Sequence, residues 1–150
     1  MATSSLCGPM LEWMRGVALG GLLRSYVVLT EPKPKNVPQA TRYGGVYYSK
    51  GFTACYAVCQ KQLATQRPPE PPTGRLVVNL ETVASKPKTG KLAVPRGDVD
   101  NFAKGALDAG TKAGLWGDDD QIVLCTTSKR YAGPGEAPGF YMHVAELPHS

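Results

Sequence analysis

The hydrophobic positions along the chain change period several times, and each change marks a predicted element. From Gly51 to Arg67 the apolar residues recur at intervals of three and four, which is typical of an amphipathic helix. A second helix is predicted from Asn101 to about Ala113, with Gly114 as the residue that ends it. Runs rich in β-branched and aromatic residues predict strands at residues 24–30, 46–48, 76–84, 121–131 and 140–147.

The order of these elements indicates the fold class. Strand, strand, helix, strand, helix, strand, strand is typical of an α+β fold, here a single small domain with one mixed or antiparallel β-sheet and two main helices. The length of 150 residues suits one modest core. Residues 24–150 are assigned to this domain. Residues 1–23 are interpreted as an accessory or disordered N-terminal tail, whose apolar stretch is too short to span a membrane.

Charge is distributed unevenly along the chain. The formal net charge is +5, yet six of the 12 acidic residues lie between Gly97 and Gln121. The remaining surface is therefore basic, which favours a polyanionic partner such as DNA. A pI near 9.1 also occurs in small proteins that bind no anion, so the charge alone leaves both interpretations open.

The acidic window contains a candidate metal site. In an extended segment, Asp98 and Asp100 would point to one side and Val99 would turn into the core. Lys104 would lie one helical turn beyond Asp100, and the run 118–120 would donate a third carboxylate. Carboxylates that converge repel one another unless a cation sits among them. A hard ion, Mg²⁺ or Mn²⁺, suits oxygen ligands and a shared phosphate.

Structural roles explain the same residues equally well. Asp100 or Asn101 would cap the helix that follows. Lys104 and Asp108, four positions apart, fit a solvated helix face, and three consecutive aspartates fit a solvated loop. Two other functions are alternatives: a basic DNA-binding module without catalysis, and a phosphatase of the haloacid-dehalogenase type. The Asp-x-Asp motif of those phosphatases follows an apolar strand, whereas residues 94–97 here read Val-Pro-Arg-Gly.

Two basic, proline-containing loops flank the predicted elements. Residues 31–38 contain three prolines, which exclude a helix or a central strand. Residues 85–96 lead directly into the acidic window. Lysines that hold phosphates beside acids that hold a metal suit a nuclease, and solvated loops are the alternative. The cationic residues are Lys33 and Lys35 in the first loop, Arg42 just beyond it, and Lys86, Lys88, Lys91 and Arg96 in the second.

The acidic window resembles the signature of a known family. It carries DVDNFAK at 98–104, TKAGLW at 111–116 and DDDQIV at 118–123. This pattern is similar to that of the RusA-type Holliday junction resolvases, which are small, dimeric, Mg²⁺-dependent endonucleases often encoded by phages. The resemblance is dense over residues 97–123, looser over roughly 26–147, and absent from the first 20 or so residues.

The resemblance implies roles for individual residues. It places essential carboxylates and Mg²⁺ ligands at Asp98, Asp100 and Asp119, with Mn²⁺ as a substitute ion, and an essential lysine at Lys104. It implies a homodimer that resolves four-way DNA junctions by paired symmetric nicks during recombination and repair, with no membrane partner. The roles of the two flanking aspartates, 118 and 120, stay open. Residues expected to contact DNA are Lys33, Lys35, Arg42, Lys86, Lys88, Arg96 and Asn101.

The cysteines predict the compartment rather than the chemistry. Cys55 and Cys59 lie four positions apart on the apolar face of the first predicted helix, with no Cys-x-x-Cys pair in the chain. They are interpreted as small buried hydrophobic residues with reduced thiols. This favours a cytoplasmic protein of a bacterial or phage-infected cell.

Overall fold

The computed structural model describes residues 7–36, 38–90 and 92–149. The helices are α1 (Cys7–Val17), α2 (Lys50–Ala64) and α3 (Val99–Ala113), and short 3-10 helices lie at Leu19–Gly21 and Asp119–Gln121. The strands are β1 (Leu23–Leu29), β2 (Gln39–Ala40), β3 (Val46–Tyr47), β4 (Leu76–Ala84), β5 (Ile122–Tyr131) and β6 (Gly139–Glu146). None of the described helices is long and apolar enough to cross a membrane.

A four-stranded mixed sheet in the order β1-β6-β4-β5 forms the centre of the fold. Strand β6 runs antiparallel to both β1 and β4, and β4 runs parallel to β5. Strands β2 and β3 form a separate antiparallel hairpin. The predicted α+β fold with one mixed sheet is confirmed. The small second sheet and helix α1 are additions to it.

Helices α2 and α3 cover one face of the sheet. Helix α2 packs against β1 and α3 against the β5 side, while all nine residues of β4 are buried between the layers. Leu115 and Trp116 are fully buried and belong to this core. Cys55 and Cys59 are buried free thiols, so their prediction as small hydrophobic residues is confirmed.

Helix α1 covers the opposite face. Met14 is fully buried there against Val77 and Ala145. Residues 7–17 are helical and packed on the sheet. The interpretation of residues 1–23 as an accessory or disordered tail stays a prediction. Residues 1–6 lie outside the described part of the chain.

The two edges of the sheet differ. On β1, the amide of Gln66 accepts from the Val27 N–H at 3.0 Å and donates to the Val27 carbonyl at 2.7 Å. Gln62 makes the same pair of bonds with Leu29, at 2.8 and 2.9 Å. Helix α2 thus satisfies the outer backbone groups of β1 with side-chain amides. At the other edge, among the described residues, β5 has a strand partner on one side only.

Candidate active site

Helix α3 begins at Val99, two residues before its predicted start, and Asp98 is its N-cap. The N–H groups of Asn101 and Phe102 donate to the Asp98 carbonyl at 3.0 and 3.2 Å. Gly97, with φ of 102°, makes the turn that allows this early start. The prediction that Asp100 or Asn101 caps the helix is therefore wrong, and Asp98 and Asp100 do not share one side of an extended segment.

Asp100 and Lys104 form an exposed ion pair on the first turns of α3. Their charged atoms lie 3.5 Å apart, and each side chain is 64% exposed. This confirms their predicted placement one helical turn apart. A surface pair of this kind adds little to stability, so both groups are free to interact with a ligand. The side chain of Asp98 is also exposed and makes no capping hydrogen bond.

The three consecutive aspartates have three different environments. Asp118 accepts from the Asp120 N–H at 2.9 Å and forms a capping box with Gln121. Asp119 turns back to α3, where the Thr111 hydroxyl donates to its Oδ1 at 2.8 Å. Asp120 lines a surface hollow beside Arg75. Asp118 therefore has a structural role, and Asp119 is the member of the run that is tied to α3.

The polar contacts of Thr111 and Tyr56 near this site were not predicted from the sequence. The Trp116 indole donates to the Thr111 hydroxyl at 2.7 Å, so the buried ring orients the group that holds Asp119. Tyr56 donates to Asp108 at 3.1 Å, and Lys35 lies 3.8 Å from the same carboxylate. Burial, and then the hydrogen bond to Asp108, raise the pKa of Tyr56 to about 12. Tyr56 fits the apolar period of α2, which hides its polar contact.

The first basic loop lies against the start of α3. The Lys35 N–H donates to the Asn101 carbonyl at 3.0 Å, and the Asn101 side chain donates to Asp98 at 3.4 Å. Glu31 accepts from the Ser85 hydroxyl at 2.7 Å and so joins the first loop to the second. The two loops enclose an open cavity of about 510 Å³, and Lys33, Arg96 and Gly97 are among the residues that line it.

The other cationic residues lie farther from the start of α3. Lys86 and Lys88 are exposed in the second loop, within the segment that borders the same cavity. Arg42 lies in the turn between β2 and β3, 5.7 Å from the centre of the Tyr43 ring. Lys91 falls outside the described residues. The DNA-binding roles of these residues, and of Asn101, stay predictions.

The role of Lys129 on β5 was also missed, although a charged residue inside a strand is a signal that it has a specific partner. Its ammonium donates to the carbonyls of Pro95 and Gly97 at 2.8 and 2.6 Å. These bonds attach the turn before α3 to the far end of β5. Among the ion pairs of the described residues, none involves Lys129.

The proposed metal ligands lie near opposite ends of α3. In residues 7–36, 38–90 and 92–149, no three His, Cys, Asp or Glu side chains are grouped closely enough to hold a metal ion. Asp119 is bonded to Thr111, which follows Asp98 by 13 positions and so lies about 20 Å along the axis of α3. The carboxylate oxygens of these aspartates are ligands of the type that a hard cation binds. The expected convergence of the three aspartates on a metal ion stays a prediction.

A known protein family matches the part of the chain that contains this site. The sequence matches the family described as Endodeoxyribonuclease RusA over residues 30–137, well over half of its length. The matched range starts after β1 and contains both basic loops, α2, α3 and the aspartate run. No curated protein is similar enough to count as a match.

Proposed function

We propose that this chain, which belongs to the RusA endodeoxyribonuclease family, cuts the phosphodiester backbone of four-way DNA junctions. The family is one of nucleases, and the choice of junction as substrate is our proposal. The observation that supports it is the start of α3. Asp98, Asp100 and Lys104 are exposed there, inside the matched range and beside a cavity formed by two basic loops.

The proposed chemistry uses the exposed carboxylates and the lysine. Asp98, Asp100 and Asp119 serve as ligands for Mg²⁺, with Mn²⁺ as a substitute, because carboxylate oxygens suit hard cations. Lys104 offsets negative charge on the phosphate under attack. The first N–H groups of α3 also favour a phosphate at that end of the helix.

The proposed DNA contacts are made by the basic loops. Lys33, Lys86, Lys88 and Arg96 neutralise backbone phosphates on either side of the start of α3. Arg42 extends this surface from the β2–β3 turn, while Lys35 and Asn101 hold the first loop in place and contact the backbone nearby. Contacts of this kind position DNA without reading its sequence.

The proposed reaction is a pair of symmetric nicks made by a homodimer. One active site cuts one strand, whereas the resolution of a four-way junction needs two cuts related by two-fold symmetry. A two-fold dimer supplies two sites with that relationship. The proposed reaction belongs to DNA recombination and repair. It takes place in the cytoplasm of a bacterial or phage-infected cell, where such junctions form.

The experiment that tests this function is a nicking assay on a four-way junction and on a linear duplex of the same sequence. The junction is expected to be cut at paired positions in Mg²⁺, and the duplex far less. Asp100→Asn serves as the inactive control. Salt-sensitive binding without any Mg²⁺-dependent cutting would instead indicate a non-catalytic DNA-binding module. Equal cutting of both substrates would indicate a general nuclease.

A further inference from the structure

We propose that the β2–β3 hairpin is a stacking element, in which Tyr43 at the tip packs its ring on a base pair left open at the branch point of a four-way junction. The inference deepens the junction-cutting function proposed above and rests on it. It gives that function a physical basis for the choice of a junction over a linear duplex.

The hairpin exposes a group of large apolar side chains. Tyr43 is 88% exposed, Val46 is 70% exposed and Tyr47 is 54% exposed. Single exposed apolar residues are ordinary on protein surfaces, whereas three within five positions of one hairpin form a patch that indicates a binding surface. The hairpin is also separate from the central sheet, so this patch is not part of the core.

Hydrogen bonds fix the tip that carries Tyr43. The Thr41 N–H donates to the Gly45 carbonyl at 2.7 Å, and the Gly45 N–H donates to the Thr41 hydroxyl at 2.9 Å. The Gly44 N–H donates to the Thr41 carbonyl at 3.2 Å, and a φ of 84° at Gly44 closes the turn. Arg42 and Tyr43 are therefore held at the apex, so binding through them costs little further ordering of the chain.

The root of the hairpin is packed beside the proposed active site. The Tyr48 ring, just after β3, lies 5.3 Å from the Phe52 ring on α2. Phe52 lies against Gly105 of α3, where an added Cβ would be 3.0 Å from its Cε2 atom. Gly105 directly follows Lys104. Two packed rings thus connect the hairpin to α3 next to the proposed catalytic lysine.

The length of the hairpin sets how far its tip reaches. Tyr48 follows Tyr43 by five positions, so the tip lies at most about 17 Å from the root at about 3.3 Å per residue. One strand of DNA rises about 3.4 Å per base step. The hairpin therefore spans about five base steps, which keeps the stacked base pair and the nicked phosphate on the same small part of the junction.

The charge around the hairpin favours a polyanion as its partner. The Arg42 guanidinium lies 5.7 Å from the centre of the Tyr43 ring, and Lys50 is exposed at the start of α2, directly after the hairpin. Cations beside an exposed aromatic ring are the combination with which proteins hold backbone phosphates and stack on bases. Between Glu31 and Glu70 the sequence contains no Asp or Glu, and its six cationic residues are Lys33, Lys35, Arg42, Lys50, Lys61 and Arg67.

Stacking would distinguish a junction from a duplex. Inside a linear duplex, neighbouring pairs cover both faces of every base pair. Where four arms open at a branch point, the last pair of an arm loses one of these neighbours. Every base has a face on which a ring can stack, so Tyr43 would select this shape without selecting a sequence. Contacts to backbone phosphates alone do not provide that selectivity, because a duplex offers the same phosphates.

A photochemical cross-link tests the stacking without any cutting. 5-Iodouracil replaces one thymine at the branch point of an immobile four-way junction, and the complex is formed in Ca²⁺. Long-wavelength light should join this base to Tyr43, as located by mass spectrometry of the cross-linked peptide. The same base placed one helical turn into an arm is the control and should give no product at Tyr43. A bound junction whose branch point does not cross-link to Tyr43 would overturn the proposal.

Substitutions of exposed aromatic residues test its contribution to binding. Tyr43→Ala should lower the affinity for the junction by about tenfold, the loss expected for one stacked base, and leave the affinity for linear duplex unchanged. Tyr43→Phe keeps the ring and should restore the junction affinity. Trp13→Ala is the matched control, because Trp13 is 45% exposed on α1, at the opposite face of the sheet, and should change neither affinity. Circular dichroism should show all three variants folded.

The outcomes separate the stacking proposal from the function on which it rests. If the wild type prefers the junction and Tyr43→Ala keeps the whole preference, the stacking proposal is wrong and the exposed patch serves another partner, while the junction-cutting function stands. If the wild type binds junction and duplex equally, the choice of a junction as substrate fails, and the stacking proposal fails with it. A Tyr43→Ala variant that loses the preference but still nicks DNA in Mg²⁺ would support both.

Discussion

The Thr111 hydroxyl donates to Asp119 Oδ1 at 2.8 Å and so connects the aspartate run to the second half of α3. The same hydroxyl accepts from the indole of Trp116, which is fully buried. The orientation of Asp119 therefore depends on the core through two hydrogen bonds in series.

Thr111→Val should lower the nicking rate by about fivefold, because a hydrogen bond of this kind contributes about 1 kcal/mol. Thr111→Ser keeps the hydroxyl and should restore most of the rate. The measurement is single-turnover nicking at saturating protein, with junction binding determined in parallel. Since Thr111→Val also leaves the Trp116 N–H without its acceptor, its melting temperature should fall. Equal rates for the two variants would show that the bond does not orient Asp119.

Asp98→Asn, Asp100→Asn and Asp119→Asn should each abolish nicking while junction binding stays equal or tightens. Each change removes a proposed Mg²⁺ ligand and also a negative charge from the surface proposed to face DNA. Asp120→Asn is the matched control, because Asp120 turns to the hollow beside Arg75. Binding is measured by electrophoretic mobility in Ca²⁺ and cutting in Mg²⁺. If Asp120→Asn alone were inactive, Asp119 would be the wrong choice within the run.

Charge reversal at Lys33, Lys86, Lys88 or Arg96 should weaken binding to every junction sequence. Each lost phosphate contact should reduce the slope of log affinity against log salt by about one. Lys61→Glu, on the last turn of α2, provides a control with the same change in net charge. Affinity is measured over a range of salt concentrations. Slopes that match the wild type for all four variants would place these loops away from DNA.

The ion pair between Arg130 and Glu136 predicts a stability loss in acid. Arg130 Nη2 donates to Glu136 Oε2 at 2.7 Å, and this bond is the main reason that the pKa of Glu136 falls from 4.5 to about 2. A lowered carboxyl pKa stabilises the folded state above the unfolded value, and the contribution disappears as the pH falls through the folded value. The melting temperatures of wild type and Glu136→Gln should therefore differ constantly above pH 5.

That difference should shrink between about pH 4.5 and pH 2, since the wild-type carboxyl becomes protonated in that window. Melting curves at half-unit intervals of pH measure it. A difference that stays constant down to pH 2 would mean that the pair does not lower the pKa of Glu136.

The sequence predicted the elements well because their signals are local. The apolar period of α2, the glycine that ends α3 and the β-rich run of β4 each depend on neighbouring residues, and the structure confirms them. The start of α3 was missed by two residues. Gly97 can adopt the positive φ that begins the helix early, and no pattern in the sequence reveals that it does so.

The geometry of the site was less predictable because it depends on contacts between distant segments. Thr111 reaches Asp119, Tyr56 reaches Asp108, and Lys129 reaches Gly97. Each contact needs the packing of α3 against α2 and the sheet, which the periodicity of one segment does not contain. The residue types indicated a site built from carboxylates. Only the fold shows that Asp98 and Asp100 lie at the start of α3, whereas Asp119 is bonded to its second half.

The amides of Gln62 and Gln66 also limit where the central sheet can grow. A sheet with two open edges can add strands at both, and such growth has no natural end. Because these amides cover the β1 edge, β5 is the edge of the central sheet that is left for strand addition among the described residues. Replacing both glutamines with alanine should therefore give a size distribution that broadens with protein concentration, seen as a rising mass in light scattering.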